Sequence, residues 1–325
     1  MVKLWTRRFI LASLITMVGS LYIAAGSQCE PADSKEKPAE VSKETETPKE
    51  ETKVEATTTA NADDLKSKEA EAPKEEAKVE AIAVTNMDHL KQVLKENDFS
   101  PGTASNSETQ VPRIKFANFP KDMRQAKDHK TKKDLFVNIM LPMILHENEI
   151  IMKERESILE LKKTVDSGKS LRHSEKFWLN KICQKYKMKN QDLDELLRRA
   201  DIIPPSLALG QATIECGMGI SYAALNKHSP FGMTVSKKVL AYKDLSESVS
   251  AYICNLNSNQ AYKTMRKTRA ELRKAGKDMN GNVLIGDMIA YCEFGKPYIN
   301  QVRAAIKQND LMKYDNLNLA PKEKA

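Results

Sequence analysis

Cysteine and histidine are scarce, five of each in 325 residues, and they stand at scattered positions. That excludes a dense disulfide framework, and no metal-ligand spacing appears. Glycine is sparse too, at 12 residues, and no Gly-rich phosphate loop is present, which argues against nucleotide chemistry. No motif calls for a cofactor. Residues 30–85 lack aromatics altogether and hold 9 lysines against 16 acidic residues, net −7. Built almost entirely from Lys, Glu, Ala, Thr, Pro and Ser, this stretch cannot bury enough apolar area to offset its ordering entropy. It is expected to be a disordered, extended spacer. The run from Pro48 to Ala56 recurs from Pro73 to Ala81, and so polar a unit reads as duplicated linker, since a solenoid repeat needs an apolar face to stack.

What is present begins with an export signal. Lys3, Arg7 and Arg8 precede an uncharged run from Phe9 to Cys29, and Ala24-Ala25-Gly26 places small residues where a signal peptidase cuts. A cleaved signal is the first reading and an uncleaved membrane anchor the alternative; membrane contact is expected only through this segment, and either way the rest leaves the cytoplasm for the periplasm or cell envelope. From Asn86 onward the chain holds 40 basic and 28 acidic residues, net +12, and only this part is long enough for a sizeable core. The expected organisation is a signal or anchor over residues 1–28, a linker over 29–108, one domain over 109–319 and a tail over 320–325.

The domain reads as helical. Leu135, Phe136, Ile139, Ile144, Ile151, Ile158 and Leu161 keep to one helical face, with Pro142 predicting a kink or a break. Further helices are expected around Phe177 to Ile182, after Asn190, from Pro204-Pro205 to Gly217, after an Asp244 to Glu247 capping box, and over about 259–275, 283–294 and 297–311. Leu90, Val93 and Leu94 give one short stripe upstream. Only Phe231 to Tyr242 has strand character, so the fold is expected to be all-α with at most one small β-hairpin.

Between Ile202 and Ile214 there is no charge, and a helix of that composition must be largely buried. At its C-terminal end stands Glu215. Burial and the negative end of the helix dipole both raise a carboxyl pKa, and a carboxyl protonated near neutral pH is what a general acid needs to protonate a glycosidic oxygen. A capping or ion-paired Glu215 is the structural alternative.

The segment from Asp201 to Gly219 resembles the catalytic-helix motif of the Bax-type proteins of the glucosaminidase family, glycoside hydrolase family 73, related to the flagellar peptidoglycan hydrolases. That motif runs roughly I-P-x-S-L-x-L-A-Q-A-A-x-E-S-x-W-G, followed by a loop ending N-L-F-G, where this chain has Ser229-Pro230-Phe231-Gly232. Tyr252 to Asn257, Ala261-Tyr262, Tyr291 to Gly295, and Lys132 to Arg155 are similar to further family segments, and the resemblance spans about residues 114–317. It implies a lysozyme-like α-lobe and hydrolysis of the β-1,4 bond after N-acetylglucosamine in peptidoglycan, with glycan strands as partner. Carried over, Glu215 is the catalytic acid and Tyr262 the active-site tyrosine. Gln211, Phe231, Gly232 and Asn257 are assigned to substrate binding.

The departures are as informative. Met218 stands where the motif has tryptophan, which removes a sugar-stacking platform. Cys216 and Cys292 replace serines; buried free thiols are the expectation for these and for Cys183 and Cys254. Residues 232–242 contain no acid, although relatives often draw a second carboxylate from this region, and Asp244 and Glu247 are explained as helix cap and N3 residue. One acid still suffices if the substrate's 2-acetamido group is the internal nucleophile, or if Tyr262 and Asn257 hold a water. A lytic transglycosylase, also workable with one Glu, and a non-catalytic peptidoglycan-binding scaffold are the alternatives. Nucleic-acid binding is not expected, because the basic residues are spread along the helices and no recognised module appears.

Overall fold

The computed structural model describes residues 80–99 and 110–321. The segment over 1–28, most of the linker and the last residues of the tail lie outside the described residues. The longest element is α2, His129–Asp166, following the short α1, Met87–Glu96. Asp128 caps α2 by accepting from Thr131 N at 2.8 Å. The helix runs unbroken through Pro142, against the expected kink or break. Leu135 to Leu145 around it are all buried, and packing on every side outweighs a penalty of about 3 kcal/mol for an interior proline. By length and hydropathy this helix could cross a membrane, yet 72% of its apolar window is buried inside the protein, as suits a core helix.

Two apolar cores divide α2. Its C-terminal half contributes Ile158 and Leu161 to a small cluster with α3, His173–Lys185, and α4, Leu193–Arg199. The N-terminal half joins the main core with α5, Pro205–Cys216, and, after a short α6 at Tyr222–Lys227, with α7, Leu245–Ser258. Then follow α8, Lys263–Lys274, a single turn α9, Gly281–Leu284, two 3-10 turns at Ile285–Asp287 and Ile289–Tyr291, and α10, Lys296–Gln308. The expected helix over 283–294 is thus one α-turn and two 3-10 turns. The Asp244 cap is present: its carboxylate accepts from Glu247 N at 2.8 Å, while Glu247 Oε2 accepts from Lys243 N at 2.6 Å.

Strands are minimal. Among the described residues a hairpin pairs β2, Thr234–Val235, with β3, Lys238–Val239, across Ser236 and Lys237, both at positive φ as a tight hairpin turn requires. A parallel pair joins β1, Gln110–Val111, to β4, Asn318–Leu319, tying the two ends of the domain together. The chain is therefore mostly α, in line with the sequence reading.

The central helix α5 starts with Pro205 at its first turn, where a missing N–H is harmless. Asp315 accepts from Ser206 N at 2.7 Å and from Ser206 Oγ at 2.6 Å, so a carboxylate closes the positive end of the helix. Gly210 permits the approach of α10: a Cβ there would stand 2.6 Å from Ile306 Cγ1. The preceding turn is held by a buried network. Arg269, on α8, donates to the carbonyls of Arg198, Arg199, Asp201 and Ile202 and to Asn257 Oδ1. Asn148, on α2, exchanges two hydrogen bonds with the backbone of Ile203.

One boundary is corrected. The expected linker extended to residue 108, but residues 80–99 belong to the core. Leu90, Leu94 and Phe99 are at most 1% exposed, Asn86 caps α1, and Asn118 pairs with both backbone groups of Val84. A ten-residue helix is marginal alone, so the docked apolar stripe must stabilise it. A chain beginning at residue 100 should accordingly melt lower than one beginning at residue 80, by about 10 °C for a loss of roughly 3 kcal/mol. Equal melting temperatures by calorimetry would show that α1 contributes nothing.

Candidate active site

Glu215 lies in the last turn of α5, which ends at Gly217 in the left-handed conformation. The residue is half-buried, and burial of its carboxyl pushes it up to about 7, partly opposed by a hydrogen bond from Tyr298. Tyr298 is on α10, Tyr252 on α7, Tyr291 in a 3-10 turn, and Tyr262 in the turn that leads into α8. Each feels the Glu215 charge. Four of the chain's nine tyrosines thus converge on one carboxyl. Burial holds all four phenols well above their usual range, so none ionises near neutral pH.

The ring is rigid because its members stack on one another. Tyr291 and Tyr298 lie 5.6 Å apart at 11°, Tyr262 and Tyr291 6.1 Å apart at 39°, and Phe231 and Tyr252 3.8 Å apart at 5°. Tyr291 Oη donates to Phe231 O at 3.2 Å, tying the hairpin loop to the ring. Gly232 follows at φ +60°, and a Cβ there would sit 3.3 Å from Glu215 Oε2. Glycine at this position lets the main chain close one side of the carboxyl without crowding it.

Of the six residues singled out from sequence, the structure brings Glu215, Tyr262 and Gly232 together. Three others are placed differently. Gln211 is fully buried, donating to Tyr298 Oη at 3.0 Å and accepting from Tyr252 Oη at 2.7 Å, so neither end of its amide is open to a substrate. Asn257 is equally buried, occupied by Asp201 O and Arg269 in the network below α5. Asn255, two residues earlier, is the asparagine beside the Tyr262 phenol. Phe231 is 2% exposed and packs on Tyr252, serving as wall and not as an open stacking face. Met218 is also buried, so the motif's tryptophan position points into the core here and its replacement removes no exposed platform.

Sequence reasoning missed Tyr298 and Asn255 as site residues. Tyr252 and Tyr291 lay inside segments singled out by resemblance but were given no role. The available signal was clustering: in a chain only 6% aromatic, these tyrosines fall within residues 252–298.

Other chemistry is disfavoured by the same environment. The Cys216 thiol is pushed up to about 12 by burial, which keeps it from acting as a thiolate nucleophile. Cys183, Cys216, Cys254 and Cys292 are free thiols, as expected. Two more carboxyls are raised by burial, and neither shares the tyrosine ring. Asp315, at about 6, is committed to capping α5. Glu147 is nearly enclosed at a separate hollow of about 340 Å³, which is also lined by Lys115, Lys243 and Ser250. Among the described residues, no second carboxylate is among the groups that shift Glu215.

Comparison with known proteins gives two matches. The glucosaminidase family model, described as mannosyl-glycoprotein endo-beta-N-acetylglucosaminidase, matches residues 190–311. The chain is 32% identical over 223 residues to Protein bax of Escherichia coli (strain K12), covering 63% of this chain and 80% of that protein. No solved structure matches.

The raised Glu215 has a consequence for stability. The folded carboxyl titrates near 7 against 4.5 for a free one, so the native state binds more protons between these values. Stability from this group is therefore fully retained below about 4.5 and falls as pH rises towards 7, by roughly 3 kcal/mol in all. Glu215→Gln should melt above the wild type at pH 8, with the difference vanishing near pH 4. A salt-bridged or capping Glu215 would instead make the variant less stable at pH 8.

Proposed function

Because the chain belongs to the glucosaminidase family as a Bax-type member, we propose that it is an endo-β-N-acetylglucosaminidase of peptidoglycan, cleaving the β-1,4 bond after N-acetylglucosamine with Glu215 as general acid. The single observation that carries this reading is a carboxyl at the end of an uncharged helix that burial raises to about 7, coupled to four tyrosines that do not ionise. Below that pH Glu215 holds the proton that the departing glycosidic oxygen needs; above it the acid form is lost.

With one carboxylate at the site, the 2-acetamido oxygen of the substrate serves as internal nucleophile. Glu215 gives its proton to the leaving oxygen while the acetamido oxygen bonds to the anomeric carbon and the C–O bond breaks. A water then opens the cyclic intermediate, losing its proton to the Glu215 carboxylate, and the acid is restored. Tyr262, whose phenol is coupled to the Glu215 charge, is assigned to orient the acetamido group by a hydrogen bond from its hydroxyl. The segment over residues 1–28 is assigned to export, which delivers the domain to the cell wall. The net +12 from Asn86 onward draws it towards anionic wall polymers.

Glu215→Gln should lower peptidoglycan cleavage by about 10²-fold or more while sacculus binding persists. A folded variant with undiminished cleavage ends the assignment. Mass spectrometry of the wild-type products should find a hydrated N-acetylglucosamine at the new reducing end. An anhydro product, lighter by one water, would identify a lytic transglycosylase, and no product at all a binding scaffold.

Raising ionic strength should weaken binding to sacculi and leave turnover of a short neutral chitooligosaccharide nearly unchanged. Equal salt sensitivity on both would place the charge inside the site.

A further inference from the structure

Gln211 and Glu215 stand four residues apart on α5, so their side chains lie one above the other on the same face. Tyr298 bridges them, accepting from Gln211 Nε2 at 3.0 Å and hydrogen-bonded in turn to the Glu215 carboxyl. Beyond Gln211, Tyr252 Oη donates to its Oε1 at 2.7 Å. An amide nitrogen only donates and an amide oxygen only accepts. Gln211 therefore fills a lone pair of the Tyr298 oxygen and leaves the phenolic proton to point at Glu215. The opposite amide orientation would draw the Tyr298 proton onto Gln211 and strip the carboxyl of its donor. A phenol can donate or accept, so the direction is set at the other end by the ionised Glu215 carboxylate, which only accepts, and Tyr252 Oη completes the chain by donating to Oε1.

We infer that Gln211 and Tyr298 are positioning residues for the acid, a directed chain of hydrogen bonds from Tyr252 through Gln211 and Tyr298 that fixes the Glu215 carboxyl. The inference deepens the reading of Glu215 as general acid and rests on it for its catalytic meaning. The chain also opposes the effect of burial: the Tyr298 hydrogen bond stabilises the carboxylate and holds Glu215 within reach of neutral pH. A fully buried glutamine between two tyrosines is explained by this role; the same volume filled by an apolar side chain would leave Tyr298 free to turn its proton.

The test is the titration of Glu215 followed by carbon-13 NMR of labelled glutamate, which reads the chain whether or not the enzyme turns over. Tyr298→Phe removes the donor, so the Glu215 titration should rise by about one pH unit, and the alkaline limb of the kcat/KM profile with it. Gln211→Met should raise it by about half as much. In the Tyr298→Phe background the Gln211→Met shift should disappear, because Gln211 acts only through Tyr298. Replacing Tyr298 by a fluorinated tyrosine, a stronger donor of nearly the same shape, should move the titration down instead, and it serves as the second arm if the phenylalanine variant fails to fold. An unmoved titration in Tyr298→Phe or in the fluorinated protein, or a Gln211→Met shift that persists in the double variant, overturns the inference. Loss of cleavage that merely tracks melting temperature, with Glu215 titrating as before, does so too. If Glu215→Gln retains cleavage, the proposed function fails, while the NMR titration still decides the chain.

Discussion

The structure depends on how one guanidinium is buried. Arg269 is fully enclosed, and an isolated charge there would be prohibitive. It is tolerated because it faces the carbonyls at the C-terminal end of α4, the negative end of that helix, with the Asp201 carboxylate nearby. Burial works to raise Asp201, but Arg269, Arg273 and Arg155 together hold it below the usual carboxylate range, so it stays ionised. The turn over residues 198–202 is thereby fixed to α8, to α7 through Asn257, and to α2 through Arg155. Since α5 begins at Pro205, immediately after this turn, its axial rotation is set there. Eleven residues into an α-helix is about three turns, so the position of Glu215 follows from a clamp roughly 16 Å away along the axis.

A helix that has given up every charge between Ile202 and Ile214 has also given up surface contact for most of its length. This is what makes Glu215 unusual: the chain leaves the core only in the last turn, and its first charged side chain emerges among aromatic rings. Desolvation dominates because no arginine or lysine is among the groups that shift it. The two other raised carboxyls show the contrast. Asp315 answers to a helix N-terminus and Glu147 to nearby lysines, whereas the named hydrogen-bond partner of Glu215 is a neutral phenol, Tyr298.

Legibility in the sequence followed the length of the pattern that carried each feature. The uncharged stretch of α5, the isolated acid at its end, the Asp244 cap and the short hairpin were all readable, because each is a local statement about burial or turn chemistry. Asn255 and Asn257 could not be told apart. Residues two apart on a helix point in nearly opposite directions, and only the packing of α7 decides that 257 faces the arginine cluster while 255 reaches Tyr262. Gln211 was legible as a polar side chain in an apolar helix but not as a bridge, since both of its partners are far off in sequence. The α1 stripe was visible, but the sequence leaves its docking open, and the expected domain begins at residue 109. Its support comes from Asn118 and Asp122, at a separation no local pattern reports.

The structure brings Tyr262 and Gly232 towards Glu215, and the same stretch of backbone turns Phe231 and Met218 inward. The backbone of the loop after α6 comes against Glu215 at Gly232, and that closeness needs the adjacent side chain to turn inward, which sends Phe231 onto Tyr252. Met218 sits in the left-handed conformation directly after the helix end and is likewise drawn into the core. The aromatic faces around the acid are spent on one another, ring against ring. Most of the hydroxyls are committed as well, Tyr252 Oη to Gln211, Tyr291 Oη to Phe231 O and Tyr298 to Gln211 and Glu215, so this aromatic cluster serves to hold and desolvate the carboxyl.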